Sequence, residues 1–313
     1  MTGVRISVIV MTYKKFDNLH KNISSILKQT FENYEVIVSD DGSPNLDTQY
    51  VYSLFPKDDK KEHFRLLTRQ HNVGTVRNYN EAITYAKGDI IVPLSQDDVF
   101  YNEETLKAID ESFDNNTNVC LGLRKVLGKE TLLPNYKQQS IIQEGDTKKL
   151  WFRNACKNMF YGASLYWRKS FLIQLGLFDE SYLLLEDYPF VMKCIEKGET
   201  IKILSQPTIL WDNKGVSGTQ RETGLLREDI IRFDKILYDK SSTLLKSRTC
   251  RNYLYHQIYW SCGSAIKKYR YLIVDCIIAI SKIAAILSKQ DVIDCRFEIL
   301  WYLERRASNN RSD

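Results

Sequence analysis

Ile90-Ile91-Val92-Pro93-Leu94 followed by Ser95-Gln96-Asp97-Asp98 reads as a short buried strand ending in two carboxylates. An uninterrupted apolar run of this length is what a strand covered on both faces requires. The same pattern recurs upstream. Ile6 to Met11 (ISVIVM), Tyr34 to Val38 (YEVIV) and Phe64 to Leu67 are three further strand-like runs. Between them, Phe16, Leu19, Ile23, Ile26 and Leu27 recur at helical spacing, as do Val76, Tyr79, Ile83 and Ala86 in a helix that Gly88 is expected to end. Strands alternating with helices predict an α/β fold with a central, mostly parallel, doubly wound sheet.

Downstream the pattern is less regular. Val119 to Val126 reads as a strand, Leu165 to Leu175 as a strand passing into a helix, and Tyr188 to Lys197 as a helix. Ile201 to Leu204 and Thr208 to Trp211 read as two short strands, and from about Arg221 the chain reads as helices. The expected division is 1–218 as an α/β domain and 219–313 as a C-terminal helical region, a candidate for membrane association or oligomerisation.

In open α/β sheets, ligands bind beyond the carboxyl ends of the strands. Thr12-Tyr13-Lys14 follows the first strand, Asp40-Asp41-Gly42-Ser43 the second and Gln96-Asp97-Asp98 the fourth. The first turn holds no glycine, so it is not a dinucleotide fingerprint, and no Gly-x-x-x-x-Gly-Lys phosphate loop occurs. Carboxylates repel phosphate unless a hard divalent cation bridges them. An acidic strand end therefore points to a metal-bridged diphosphate site, against the plainer reading of a solvated turn or helix cap.

Ile6–Met11, Asp40-Asp41-Gly42-Ser43, Asn72-Val73-Gly74 with Arg77-Asn78, Gly88-Asp89 and Gln96-Asp97-Asp98 come in order, followed by Gly162-Ala163-Ser164, Gly176-Leu177-Phe178-Asp179-Glu180 and Glu186-Asp187. Together, over residues 4 to 218, they resemble the family 2 glycosyltransferases with the GT-A fold, of the bacterial surface-polysaccharide type. The resemblance implies an inverting, metal-dependent transferase using a nucleotide sugar, with UDP-sugars the first choice and Mn²⁺ or Mg²⁺ as cofactor. It implies that Thr12 and Glu186 line the donor site, that Tyr13 stacks on the base and that Asp41 accepts from the base N–H edge. Arg77 would contact base or ribose, Asp97 ribose or metal, and Asp98 would be the principal metal ligand. Asp187 would be the general base. Each has a plainer rival: Tyr13 as a packing aromatic, Arg77 as a surface charge, Glu186-Asp187 as helix N-terminal carboxylates.

Two departures stand out. Ser95 occupies the first place of the family's frequent Asp-x-Asp-Asp, and Asp212 falls where a histidine ligand is usual. Asp212 is either a replacement oxygen ligand or a missing contact. These departures keep alive a catalytically weak or dead partner subunit of another transferase. A sugar nucleotidyltransferase shares the alternating pattern but would carry a Gly-rich loop after the first strand.

Seven scattered cysteines without a Cys-x-x-Cys pair, and four histidines without zinc spacing, fit a reduced intracellular protein. The start of the chain lacks the layout of a signal peptide, so a cytoplasmic location is expected, at the inner face of the membrane if the tail binds lipid. The net charge of +5 resides in the tail from Arg248 onward. There, Tyr271 to Leu287 is the most apolar stretch, broken by Asp275 and Lys282, and it reads as a core helix or as a helix lying in the membrane interface. Peripheral membrane contact through 250–290, a lipid-linked oligosaccharide or other glycan acceptor and homo-oligomers are the partners considered. Nucleic acid is not, because no recognition module accompanies the charge.

Overall fold

The structure is a computed structural model that describes residues 3–55, 63–211, 224–244, 250, 254–255 and 257–258. The chain divides into two compact units, Met1–Phe233 and Asp234–Asp313. No helix among the described residues is long and apolar enough to cross a membrane. Tyr271 to Leu287 lies outside the described residues, as does Asp212.

The first unit is built on one sheet. Its described strands are β1 (Ile6–Thr12), β2 (Tyr34–Asp40), β3 (Phe64–Leu67), β4 (Ile90–Ser95), β5 (Val99–Phe100), β6 (Val119–Val126), β7 (Leu132–Leu133), β8 (Leu165–Arg168) and β9 (Ile201–Trp211). The helices are α1 (Leu19–Leu27), α2 (Thr48–Ser53), α3 (Thr75–Tyr85), α4 (Thr105–Ser112), α5 (Tyr136–Gln143), α6 (Thr147–Cys156), α7 (Lys169–Gln174), α8 (Asp187–Glu196) and α9 (Leu225–Leu244). The path across the sheet is β3-β2-β1-β4-β8-β6-β9-β5, with β7 paired to β6.

The four strands read first are parallel, as their apolar runs require: Ile6, Val8, Ile9 and Val10 of β1 and Ile90, Ile91 and Val92 of β4 are wholly buried. The chain runs outward from β1 through β2 to β3 and then returns to the other side of β1 as β4. The β1/β4 boundary is therefore the topological switch point, where an open sheet leaves a crevice. The register sets Thr12 opposite Asp40 and Met11 opposite Ser95, so all three polar strand ends lie along one edge.

Two expectations need correction. The helix expected to end at Gly88 ends at Tyr85, and Gly88 serves a different need: a Cβ there would stand 2.5 Å from the Ser7 backbone nitrogen. The two short strands expected over 201–211 are one strand, β9, whose pairing with β6 shifts register around Leu121 to Arg124. Pro207 sits opposite Leu123 at that irregularity, and its missing N–H is what made the sequence look like two strands. Beyond the shift, β9 pairs Ile209 with Arg124 and Trp211 with Val126, while β5, directly after Asp98, pairs with Ile209 and Leu210. Arg124 and Asp98 are brought to the same end of the sheet by this pairing.

Candidate active site

Asp40 closes its own turn. It accepts from the Thr12 hydroxyl at 3.0 Å and from the Ser43 amide and hydroxyl at 2.7 and 2.6 Å. Asp41 turns the other way and accepts from Asn72 Nδ2 (2.7 Å), Val73 N (2.8 Å) and Gly74 N (3.0 Å). Burial pushes the Asp41 carboxyl up, and the Val73 and Gly74 amides and the nearby Arg69 work against that. Three protein donors on two oxygens leave room for about one more. Asp41 is thus first a tie for the 72–74 loop, and Thr12 first a partner of Asp40. Gly42 makes this packing possible: its φ is +72° and a Cβ would lie 2.4 Å from the His71 carbonyl carbon.

Tyr13 projects from the edge with 37% of its surface exposed, its ring 4.7 Å from Lys14 Nζ. Its amide reaches Gln96 Oε1 at 3.4 Å across the crevice. Arg77 is exposed on α3, its Nε 4.0 Å from Glu180.

The acidic turn after β4 is stapled from α1. Asn22, fully buried, donates through Nδ2 to the carbonyls of Ser95 (2.9 Å) and Asp98 (2.7 Å), while the Asp98 amide donates to Ser95 O at 2.9 Å. Asp97 is half-buried and accepts weakly from Asn18 at 3.4 Å; Asp98 is 6% exposed.

Glu186 and Asp187 begin α8, so both interact favourably with that helix's N-terminus. Asp187 accepts from the Tyr188 amide at 2.6 Å and from the Gly162 amide. Gly162 packs so tightly that a Cβ would stand 3.0 Å from Glu186 Oε1. Burial raises both carboxyls. Glu186 is raised further by the charge of Asp187, whereas Asp187 is relieved by the Tyr188 and Gly162 amides and by Arg124. The two carboxyls titrate as a pair, with the Tyr188 and Gly162 amides and Arg124 favouring negative charge on Asp187.

Arg124 feels the charges of both Asp98 and Asp187. It is 6% exposed, with its guanidinium 3.9 Å from the Tyr161 ring centroid and 4.4 Å from that of Trp211. Burial lowers its pKa, and Asp98, Tyr161 and Asp187 counter that. Its Nε has no hydrogen-bond partner. Among the described residues, no group of three or more His, Cys, Asp or Glu side chains is arranged to hold a metal unaided. Asp97 and Asp98 are the carboxylates at this strand end that could share a hard cation with substrate phosphates.

The model of glycosyl transferase family 2 matches residues 7–173, more than half of the chain. The chain belongs to this family. Over 136 residues this family 2 protein is 27% identical to the UDP-Glc:alpha-D-GlcNAc-diphosphoundecaprenol beta-1,3-glucosyltransferase WfgD of Escherichia coli, covering 44% of the chain and 52% of that relative. It spans about half or less of the length of the curated relatives it matches first. Among solved structures, it matches Staphylococcus aureus TarS 1-349 in complex with UDP-GlcNAc (TM-score 0.59, 18% identity, 86% of this chain and 79% of that one). It also matches the mannosyltransferase PcManGT of Pyrobaculum calidifontis in complex with GDP-Man and Mn²⁺ (TM-score 0.57, 15% identity, 96% and 79%). The fold of this family 2 protein is GT-A.

The structure brings Thr12, Tyr13, Asp41, Asp97 and Asp98 to one edge of the sheet. It sets Asp187 beside Arg124. Sequence reasoning passed over Asn22, Gly162 as a contact of the carboxylate pair, and Arg124. The available signal for Arg124 was a charge inside the apolar run Val119–Val126.

Proposed function

We propose that this protein is an inverting glycosyltransferase that moves a sugar from a nucleoside diphosphate sugar to an acceptor hydroxyl, in the assembly of bacterial cell-surface glycan on a lipid carrier at the cytoplasmic face of the membrane. The observation that carries the reading is a buried cation, Arg124, that feels the charges of both the strand-end carboxylate Asp98 and the α8 carboxylate Asp187. Family membership, and relatives or fold neighbours whose names carry UDP-Glc, UDP-GlcNAc and GDP-Man, support a nucleotide-sugar donor. WfgD's diphosphoundecaprenol substrate supports a lipid-linked acceptor.

In this reading the donor lies in the β1/β4 crevice with its base against Tyr13. Asp97 and Asp98 hold Mn²⁺ or Mg²⁺, which supplies charge neutralisation for the diphosphate leaving group. Asp187, ionised, removes the proton from the acceptor hydroxyl as that oxygen bonds to the anomeric carbon and the bond from that carbon to the diphosphate breaks. One displacement needs one base and inverts the configuration. Glu186, its neighbour, lines the donor side of the pair.

A thermal-shift screen of UDP-, dTDP- and GDP-sugars with Mn²⁺ identifies the donor class. Asp187→Asn should then lower transfer by about 10³-fold or more while nucleotide affinity stays within about threefold. Transfer at the parent rate in that variant removes the assignment.

A further inference from the structure

Helix α9 lies beyond the segment matched by the family model, which ends at residue 173. Asp229, Arg232 and Phe233 fall on one of its faces at i, i+3 and i+4, and all three grip the segment that carries Glu186-Asp187. Asp229, 4% exposed, accepts the backbone amides of Leu183 and Leu184 on one oxygen at 2.8 and 2.7 Å, and the Arg232 guanidinium on the other at 3.0 Å. Arg232 donates in turn to the Ser181 carbonyl and lies 4.4 Å from the Tyr182 ring centroid. Phe233 meets Tyr182 edge-on at 6.0 Å and Tyr188 at 4.9 Å. The grip therefore falls on both sides of the carboxylate pair.

Leu183 carries a second connection. Its carbonyl accepts the Val76 amide at 3.2 Å, and a Cβ on Gly74 would stand 2.8 Å from the same oxygen. The Gly74 amide is one of the three donors on Asp41. A single residue thus joins the loop tied to Asp41, the segment of Asp187 and the Asp229 carboxylate.

We propose that the Asp229–Arg232–Phe233 face of α9 is the positioning element for Asp187, and that Leu183 couples it to the 72–76 loop on the donor side; the functional half of this rests on Asp187 being the base. Asp229 touches no reacting atom. It acts by fixing two adjacent amides whose directions set the entry of the chain into α8. A carboxylate suits the task because an apolar side chain there would leave two N–H groups without an acceptor.

The test compares Asp229→Ala with Asp229→Asn, which keeps an oxygen for both amides, in the full chain. Backbone hydrogen exchange is read over 181–188 and 72–78, UDP affinity is read in Mn²⁺, and turnover is read as nucleotide release from UDP-glucose, UDP-GlcNAc and GDP-mannose. In Asp229→Ala, exchange over 181–188 should quicken by about tenfold or more and extend to 72–78, while Asp229→Asn stays within about threefold of the parent. The alanine variant's kcat should fall by about 10²-fold with UDP affinity nearly kept, and the asparagine variant should recover most of it. Unchanged exchange over 181–188 in the alanine variant overturns the proposal, as does an equal fall of kcat and UDP affinity in both variants. If the alanine variant does not fold, Arg232→Gln reads the same segment: faster exchange over 181–184 supports the grip and parent-like exchange overturns it. Asp187→Asn is run beside them. Full transfer in that variant removes the base assignment and the functional half, and leaves the exchange result to decide the coupling.

Discussion

The guanidinium of Arg124 lies 3.9 Å from the ring centroid of Tyr161, with Trp211 on the same cation at 4.4 Å. Two aromatic faces hold the charge in place by cation–π attraction and keep water from it. The carboxylates of Asp98 and Asp187 receive the benefit. Arg124→Met keeps much of the packing and removes the charge. Without the cation, the Asp187 carboxyl rises, so the proposed base is protonated to higher pH and the acid limb of the kcat/KM profile should move up by about one pH unit. A pH–rate profile of the variant with its limb unmoved would separate Arg124 from Asp187.

Asp97 and Asp98 differ in setting although they are neighbours. Asp98 is buried beside Arg124 and its carbonyl is stapled by Asn22, whereas Asp97 is half-buried with one weak contact. Asp98→Ala should therefore weaken Mn²⁺-dependent nucleotide binding by about 10²-fold and Asp97→Ala by about tenfold. Titration calorimetry of UDP with and without Mn²⁺ checks the order, and a larger loss in Asp97→Ala reverses it.

Glu186 carries a stability signature. Its folded pKa is raised by burial and by the Asp187 charge, so in the window above its ordinary carboxylate value and below its folded value the native state binds the extra proton. Stability should fall as pH rises through that window and level off above it. Glu186→Gln removes the penalty. Its melting temperature should exceed the parent's at about pH 8 and match it at about pH 4. The reverse order would mean that the carboxylate is stabilised by ionising.

Gly42 offers a test independent of chemistry. A Cβ there meets the His71 backbone, and its φ of +72° disfavours any other residue. Gly42→Ala should cost about 2–4 kcal/mol, seen in chemical denaturation, because strain and backbone clash add. A loss below about 0.5 kcal/mol would show that the loop can shift away from His71.

Much of the architecture was legible because it is local. The runs ISVIVM, YEVIV and IIVPL announce buried parallel strands by composition alone, and the polar residues that end them are read directly. What stayed hidden depends on pairing across long separations. Arg124 becomes a site residue because β6 pairs with β9 across a register shift and β5 folds the chain after Asp98 onto the same strand. Asp41 shows the converse: its type and place were clear, but the Asn72, Val73 and Gly74 donors that occupy it come from a loop whose closure the sequence does not display. Pro207 misled by breaking one strand's pattern into two.

The contact of Gly74 with the Leu183 carbonyl sets a rule for recombination. A chimera spliced just after residue 173 would take its nucleotide-side loop from one parent and the stretch that seats Asp187 from another. In the proposed reading the base contacts of such a hybrid would travel with the first part, but its turnover would depend on whether the two parents place that carbonyl alike. Junctions that keep Gly74 with its own Leu183 and Asp229 should give active hybrids, and junctions that separate them should give proteins that bind nucleotide and stall.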